Sequence, residues 1–155
     1  MPTEPSHTYQ DDPTIADDEI LYRLVRAGDL MWEDGQPIRP ISSVFQDQTV
    51  KQTKAIGYPA RSLSVFLGSE LSSRGIELEE LLASPEWQGN YGVVSVTAGI
   101  VRALGQGVHR DPIPTNPAHA LVFSKIGTTR STTKCKELAK ASEIVIAPPQ
   151  APDGD

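Results

Sequence analysis

The sequence predicts an α+β protein: a single compact domain with a mixed or mainly antiparallel sheet, two or three short helices and disordered ends. Three observations carry this reading. Short runs rich in β-branched and alternating apolar residues, RSLSVFL, YGVVSVT, AHALVFSKI and EIVIA, are dispersed among short helical patterns. No apolar stretch approaches the ~20 residues needed to cross a bilayer. The chain has 155 residues, 38% of them hydrophobic, and one cysteine, enough for one core without a disulfide.

Residues 1–17 are polar, hold Pro2, Pro5 and Pro13, show no periodicity, and are read as a disordered acidic tail. The domain is placed at 18–147 and a second disordered tail, PPQAPDGD, at 148–155. EILYRLVRA matches both a short helix and a first strand. In GDLMWEDGQPIRP, Asp34-Gly35 is a hairpin signal, and Pro37 and Pro40 stop any helix. ISSVF is read as extended. RSLSVFL alternates Leu63, Val65 and Leu67 against Ser62 and Ser64, a half-buried strand. GIELEELLASP is a helix of about two turns with Leu78, Leu81 and Leu82 on one face. YGVVSVTAGIVRALGQGV starts as a strand and turns helical near Ala98–Leu104, where Gly105 and Gly107 stop it. AHALVFSKI is a buried strand, Thr133–Ser142 a helix and EIVIA a last strand, cut off by Pro148-Pro149.

The formal charge of −6 conceals an asymmetry. Residues 1–20 hold six acids and no Lys or Arg, whereas residues 99–142 hold seven basic residues against Asp111 and Glu137. The acidic tail is expected to solvate, or to screen within the molecule, a mildly basic face. A nucleic-acid partner is not expected, because that basic segment has no interleaved aromatics. The N-terminus lacks a basic start and an apolar middle, so no secretory signal is read. With one cysteine and no membrane segment, the expected location is cytoplasmic.

Two stretches nominate chemistry. In GQGVHRDPIPTNPAHALV, His109, Arg110, Asp111 and His119 sit among Pro112, Pro114 and Pro117. The prolines forbid a helix, and the ten-residue histidine spacing fits no metal motif. His119 opens a strand on the same face as Leu121 and Phe123, as either a hydrogen-bonded core imidazole or a proton donor and acceptor at a cleft edge. The second stretch, IGTTRSTTKCKELAK, sets Thr129, Arg130, Ser131, Thr132 and Lys134 at a helix entrance, where free amides attract a phosphate or carboxylate. It lacks the second glycine of a P-loop. Cys135, Leu138, Ala139 and Ser142 share one helical face, so Cys135 reads as core. The two stretches are expected to share a pocket.

The order YRLVR, PISSVF, LSVFL and GQGVHRDPIPTNPAHALV resembles a group of short bacterial proteins with no assigned activity. The chain is also similar, more distantly, to ADP-ribosyltransferase-like folds, where a first-strand arginine and a second-strand serine line a dinucleotide pocket. That resemblance places Arg23 and Ser43 at those two positions. No glutamate occupies the third-strand position, where His119 would stand in its place. The functional expectation is a stress- or defence-associated module that binds a partner protein or an anionic or nucleotide ligand. The alternative is a small nucleotide-acting enzyme with Arg23, Ser43, His109, Arg110 and His119 converging in one cleft.

Overall fold

The computed structural model describes residues 11–45, 48–50, 60–84, 90–112, 116–123 and 132–149. Its strands are β1 (Ile20–Val25), β2 (Leu30–Glu33), β3 (Gln36–Pro40), β4 (Gln48–Val50), β5 (Ala60–Leu67), β6 (Gly92–Thr97), β7 (Gly107–Arg110), β8 (His119–Phe123) and β9 (Glu143–Ile146). The helices are α1 (Gly68–Ser73), α2 (Leu78–Leu82), α3 (Ala98–Ala103) and α4 (Thr132–Ala141). Seven strands form one sheet in the order β7-β8-β5-β1-β6-β9, with β4 also on β5, while β2 and β3 form a separate hairpin. Every pairing among the described residues is antiparallel. The α+β class is therefore what the chain adopts.

Alternation along the strands separates two faces. Leu21, Val25, Leu63, Val65, Leu67, Val94, Val96, Ala120 and Val122 point to the main core. There they meet Val101 of α3 together with Cys135, Leu138 and Ala139 of α4. The opposite face carries a smaller cluster, in which Phe66 and Ala118 meet Leu71 of α1, with Tyr22, Leu24, Ile76, Leu78 and Leu81 packed around them. Burying both faces suits RSLSVFL, whose last residues Val65, Phe66 and Leu67 are all buried.

Local chemistry fixes the corners. Asp34 and Gly35 turn the β2–β3 hairpin with φ of 53° and 75°, as a two-residue turn with left-handed central residues requires. Thr97 caps α3 by accepting from the Ile100 amide, and Gly105, with φ of 78°, ends it. The ring of Phe123 lies over Gly107, its cross-strand partner, where a Cβ would stand 2.5 Å from the ring carbon Cζ. At Gly92 the crowding is from backbone: a Cβ would lie 2.3 Å from the Ile146 carbonyl oxygen and 2.4 Å from the Pro148 nitrogen. Gly92→Ala must push β9 away from β6. The expected cost is about 1–3 kcal/mol in urea unfolding, whereas an exposed Gly28→Ala should change little.

Three sequence expectations need correction. ISSVF is not extended, because Ser42–Phe45 form a 3-10 turn. A strand would send the adjacent Val44 and Phe45 to opposite faces, whereas the tight turn buries both against α4, whose Cys135 Sγ donates to the Phe45 carbonyl at 3.3 Å. The helix read over GIELEELLASP is a little over one turn, Leu78–Leu82, with only Leu82 fully buried. Residues 11–17 are packed rather than disordered: Ile15 is 1% exposed in the main core, and Asp12 N donates to the Val108 carbonyl at 2.8 Å. The remaining residues of that tail, 1–10, lie outside the described residues, as do 150–155.

Candidate functional site

The face of the sheet opposite α4 brings three polar side chains into one line. In the β5–β8 pairing Phe66 faces His119 and Ser64 faces Leu121, so Ser64 and His119 are diagonal neighbours on one face. His119 Nε2 stands 3.1 Å from Ser64 Oγ. Its Nδ1 stands 3.0 Å from the Asp111 carbonyl oxygen and 3.1 Å from Asp111 Oδ2. The Asp111 amide in turn donates to the His119 carbonyl at 2.9 Å, extending the β7–β8 pairing by one residue.

For the neutral imidazole this pattern selects one tautomer. Both oxygens facing Nδ1, a main-chain carbonyl and a carboxylate, only accept, so Nδ1 carries the proton. Nε2 is left with its lone pair toward the Ser64 hydroxyl, which donates to it. The imidazole side chain is 13% exposed, Asp111 is 43% exposed, and Ser64 is exposed. A carboxylate, a largely covered imidazole and a solvent-facing hydroxyl thus form a continuous relay. In chemical terms this is the set of groups that a general base, a hydroxyl nucleophile and an orienting acid require.

Ser64 is also held from behind. β1 pairs with β5 only at Leu21↔Leu67 and Tyr22↔Phe66, and β4 covers Ala60 to Ser62. Between them the edge of β5 has no strand partner among the described residues. The Arg23 guanidinium enters this gap, donating through Nη1 to the Ser64 carbonyl at 2.8 Å and through Nε to the Val44 carbonyl at 2.6 Å. Arg23 springs from the core face, opposite Val94. The guanidinium therefore completes the sheet while His119 takes the hydroxyl of the same serine from the other face.

No known family matches the chain, and neither the curated proteins nor the solved structures compared with it give a match. The reading of the site rests on its own geometry.

The residues nominated from sequence divide accordingly. His119 and Asp111 belong to the relay, and His109, opposite Leu121, shares its face. Arg23 touches Ser64 from the other side, and exposed Ser43 sits on the 3-10 turn beside Val44. The five-residue cleft does not form, because strand alternation sends Arg23 and His119 to opposite faces. Arg110 ends β7 between two carboxylates, with Nε 3.2 Å from Asp12 Oδ2 and Nη1 3.1 Å from Glu70 Oε2. Lys134 lies on α4 with Nζ close to Gly105. Since α4 packs on the core face, Lys134 and the start of the helix at Thr132 do not share a pocket with His119. Thr129, Arg130 and Ser131 lie outside the described residues, and the anion site read there lies outside with them. Among the described residues no group of three His, Cys, Asp or Glu side chains is arranged to hold a metal.

Sequence reasoning missed Ser64, which read only as the polar half of an alternating strand. Its signal was present in combination: a serine on the solvent side of β5 and a histidine opening β8 meet if the two strands pair. The acidic N-terminal segment was also undervalued. Arg102 Nε lies 3.1 Å from both carboxylate oxygens of Asp11, Nη1 is 2.7 Å from Asp17 Oδ1, and Nη2 donates to the Asp12 carbonyl at 2.9 Å. The Thr14 hydroxyl and amide both donate to Asp12 Oδ1, at 2.6 and 2.8 Å, and hold that carboxyl below its ordinary range, with Arg110 assisting. Screening of basic residues by this segment is local pairing with Arg102 and Arg110.

Proposed function

We propose that this protein is a small enzyme of the acyl-transfer or ester-hydrolysis type, with Ser64 as nucleophile, His119 as general base and then acid, and Asp111 as the group that orients the imidazole. The observation that carries the reading is the line of contacts from Asp111 through His119 to the Ser64 hydroxyl, an arrangement that suits a neutral imidazole protonated on Nδ1. Ser64 Oγ attacks an ester carbonyl while its proton passes to His119 Nε2. The resulting imidazolium is stabilised by the Asp111 carboxylate and carbonyl oxygens. Collapse of the tetrahedral adduct breaks the ester C–O bond, and Nε2–H protonates the departing alkoxide. Water, deprotonated by the same nitrogen, then releases the acyl group from Ser64.

The expectations from sequence were a module for a partner protein or an anionic or nucleotide ligand and, alternatively, a nucleotide-acting enzyme; this reading keeps an enzyme, with a different nucleophile and a different substrate class. The anionic-ligand version has less support among the described residues, because Arg23, Arg102 and Arg110 all hold oxygens of their own chain. Treatment with a fluorophosphonate ester, followed by peptide mass spectrometry, tests the proposal. Serine attack displaces fluoride, and the expected adduct maps to Ser64 and disappears in Ser64→Ala. An unmodified Ser64 in the wild-type protein at millimolar probe discards the reading.

A further inference from the structure

We propose that Arg110 is a positioning residue for the His119–Asp111 pair, acting as a clamp between the N-terminal segment and α1; the catalytic half of this inference rests on the function proposed above. Arg110 is the last residue of β7, and the next residue supplies both oxygens that face His119 Nδ1. Its guanidinium is braced from two sides. Asp12 belongs to the segment that runs along the outer edge of β7, where Asp12 N donates to the Val108 carbonyl and Val108 N donates to Asp11 Oδ1 at 2.9 Å. Glu70 belongs to α1, which begins directly after β5, the strand that carries Ser64.

The clamp therefore ties the strand of the acid to the helix that follows the strand of the nucleophile. β8, with His119 at its first position, lies between them. Glu70 is itself steadied by Arg74, whose Nε is 3.3 Å from Oε1 one turn along and beyond the end of α1. Asp12 is pre-set by the two Thr14 donors. Arg110 is 34% exposed, so its ion pairs contribute little to global stability and much more to local geometry. Two fixed carboxylates leave the guanidinium one position, and that position sets where the main chain leaves β7 at Asp111.

The direct readout is the histidine tautomer, followed by long-range nitrogen–proton NMR on protein labelled at histidine nitrogen. The wild-type protein is expected to show His119 in the Nδ1–H form. Arg110→Gln should yield a mixture with a substantial Nε2–H population, and Arg110→Lys, which keeps one ion pair, should restore the wild-type form. Acylation of Ser64 by a nitrophenyl ester should fall about tenfold or more in kcat for Arg110→Gln, with KM unchanged. A wild-type tautomer in Arg110→Gln overturns the proposal, whatever happens to the rate. If Arg110→Gln does not fold, Glu70→Gln removes one brace and is read in the same way. If the tautomer shifts but Ser64 never reacts in the wild type, the clamp stands and the enzymatic reading falls.

Discussion

Replacing His119 with glutamine is expected to slow acylation of Ser64 by about 10²–10⁴-fold, the range associated with loss of a positioned general base. Without the imidazole the serine proton has no acceptor other than water, since Nε2 is the group in line with Oγ. Asp111→Asn should do far less, on the order of tenfold. In many serine–histidine–acid sites the carboxylate alone holds the tautomer, and its amide analogue inverts the imidazole. Here the main-chain carbonyl of residue 111 also accepts from Nδ1, at 3.0 Å, and survives the substitution. The pair of variants thus separates orientation from charge stabilisation. Initial rates with a nitrophenyl ester across a pH series decide it, with circular dichroism showing that both variants remain folded. An Asp111→Asn loss as deep as that of His119→Gln would mean that the carbonyl does not hold the ring.

How much of this was legible in the sequence depended on whether one strand or two were needed to see it. Patterns inside a single element were readable. Leu63, Val65 and Leu67 mark the core face of β5, the Asp34-Gly35 turn closes its hairpin, and the Cys135, Leu138, Ala139 stripe places α4 on the core. The switch from β6 to α3 falls at Ala98 as the composition implies. Properties that need pairing were not readable. Ser64 becomes a site only because β8, more than fifty residues later in the chain, lies beside β5 in one register. A slip of one residue would turn His119 into the core. Arg23 was nominated only through the ADP-ribosyltransferase-like resemblance, and its task depends on the gap between β1 and β4, which no local pattern encodes. The ISSVF turn went the same way, since β propensity favoured an extended run and tertiary burial of two adjacent residues prevailed. The acidic N-terminal segment failed for a different reason. Its composition is that of a solvated tail, and the core seat of Ile15, the main-chain bond to Val108 and the positions of Arg102 and Arg110 on neighbouring elements together convert it into packed structure.

Substituting Arg102 with methionine is expected to destabilise the protein by about 2 kcal/mol, because hydrogen bonds to charged groups are worth more than neutral ones, discounted here for partial exposure. A change of that size corresponds to a fall in Tm of about 4–8 °C for a domain of this length. Arg102 is 21% exposed and grips Asp11, Asp17 and the Asp12 carbonyl together. Methionine keeps the aliphatic packing and removes the charge. Asp11 then loses half of its role, since its Oδ1 also accepts the Val108 amide at 2.9 Å. The segment that seats Ile15 in the core and lines the edge of β7 should fray, and hydrogen exchange at Val108 should accelerate well beyond the global change. Acid should act on the same segment through Asp12. A carboxyl whose folded pKa is lowered contributes its full stability above its unfolded value of 3.8 and loses it as the pH drops through the lower folded one. Fraying should therefore begin below pH ~4, and salt near 1 M, where the Debye length is about 3 Å, should weaken the exposed pairs at neutral pH. If Arg102→Met leaves both urea unfolding and Val108 exchange unchanged, the segment is held by Ile15 and its main-chain bonds, and its charges are passengers.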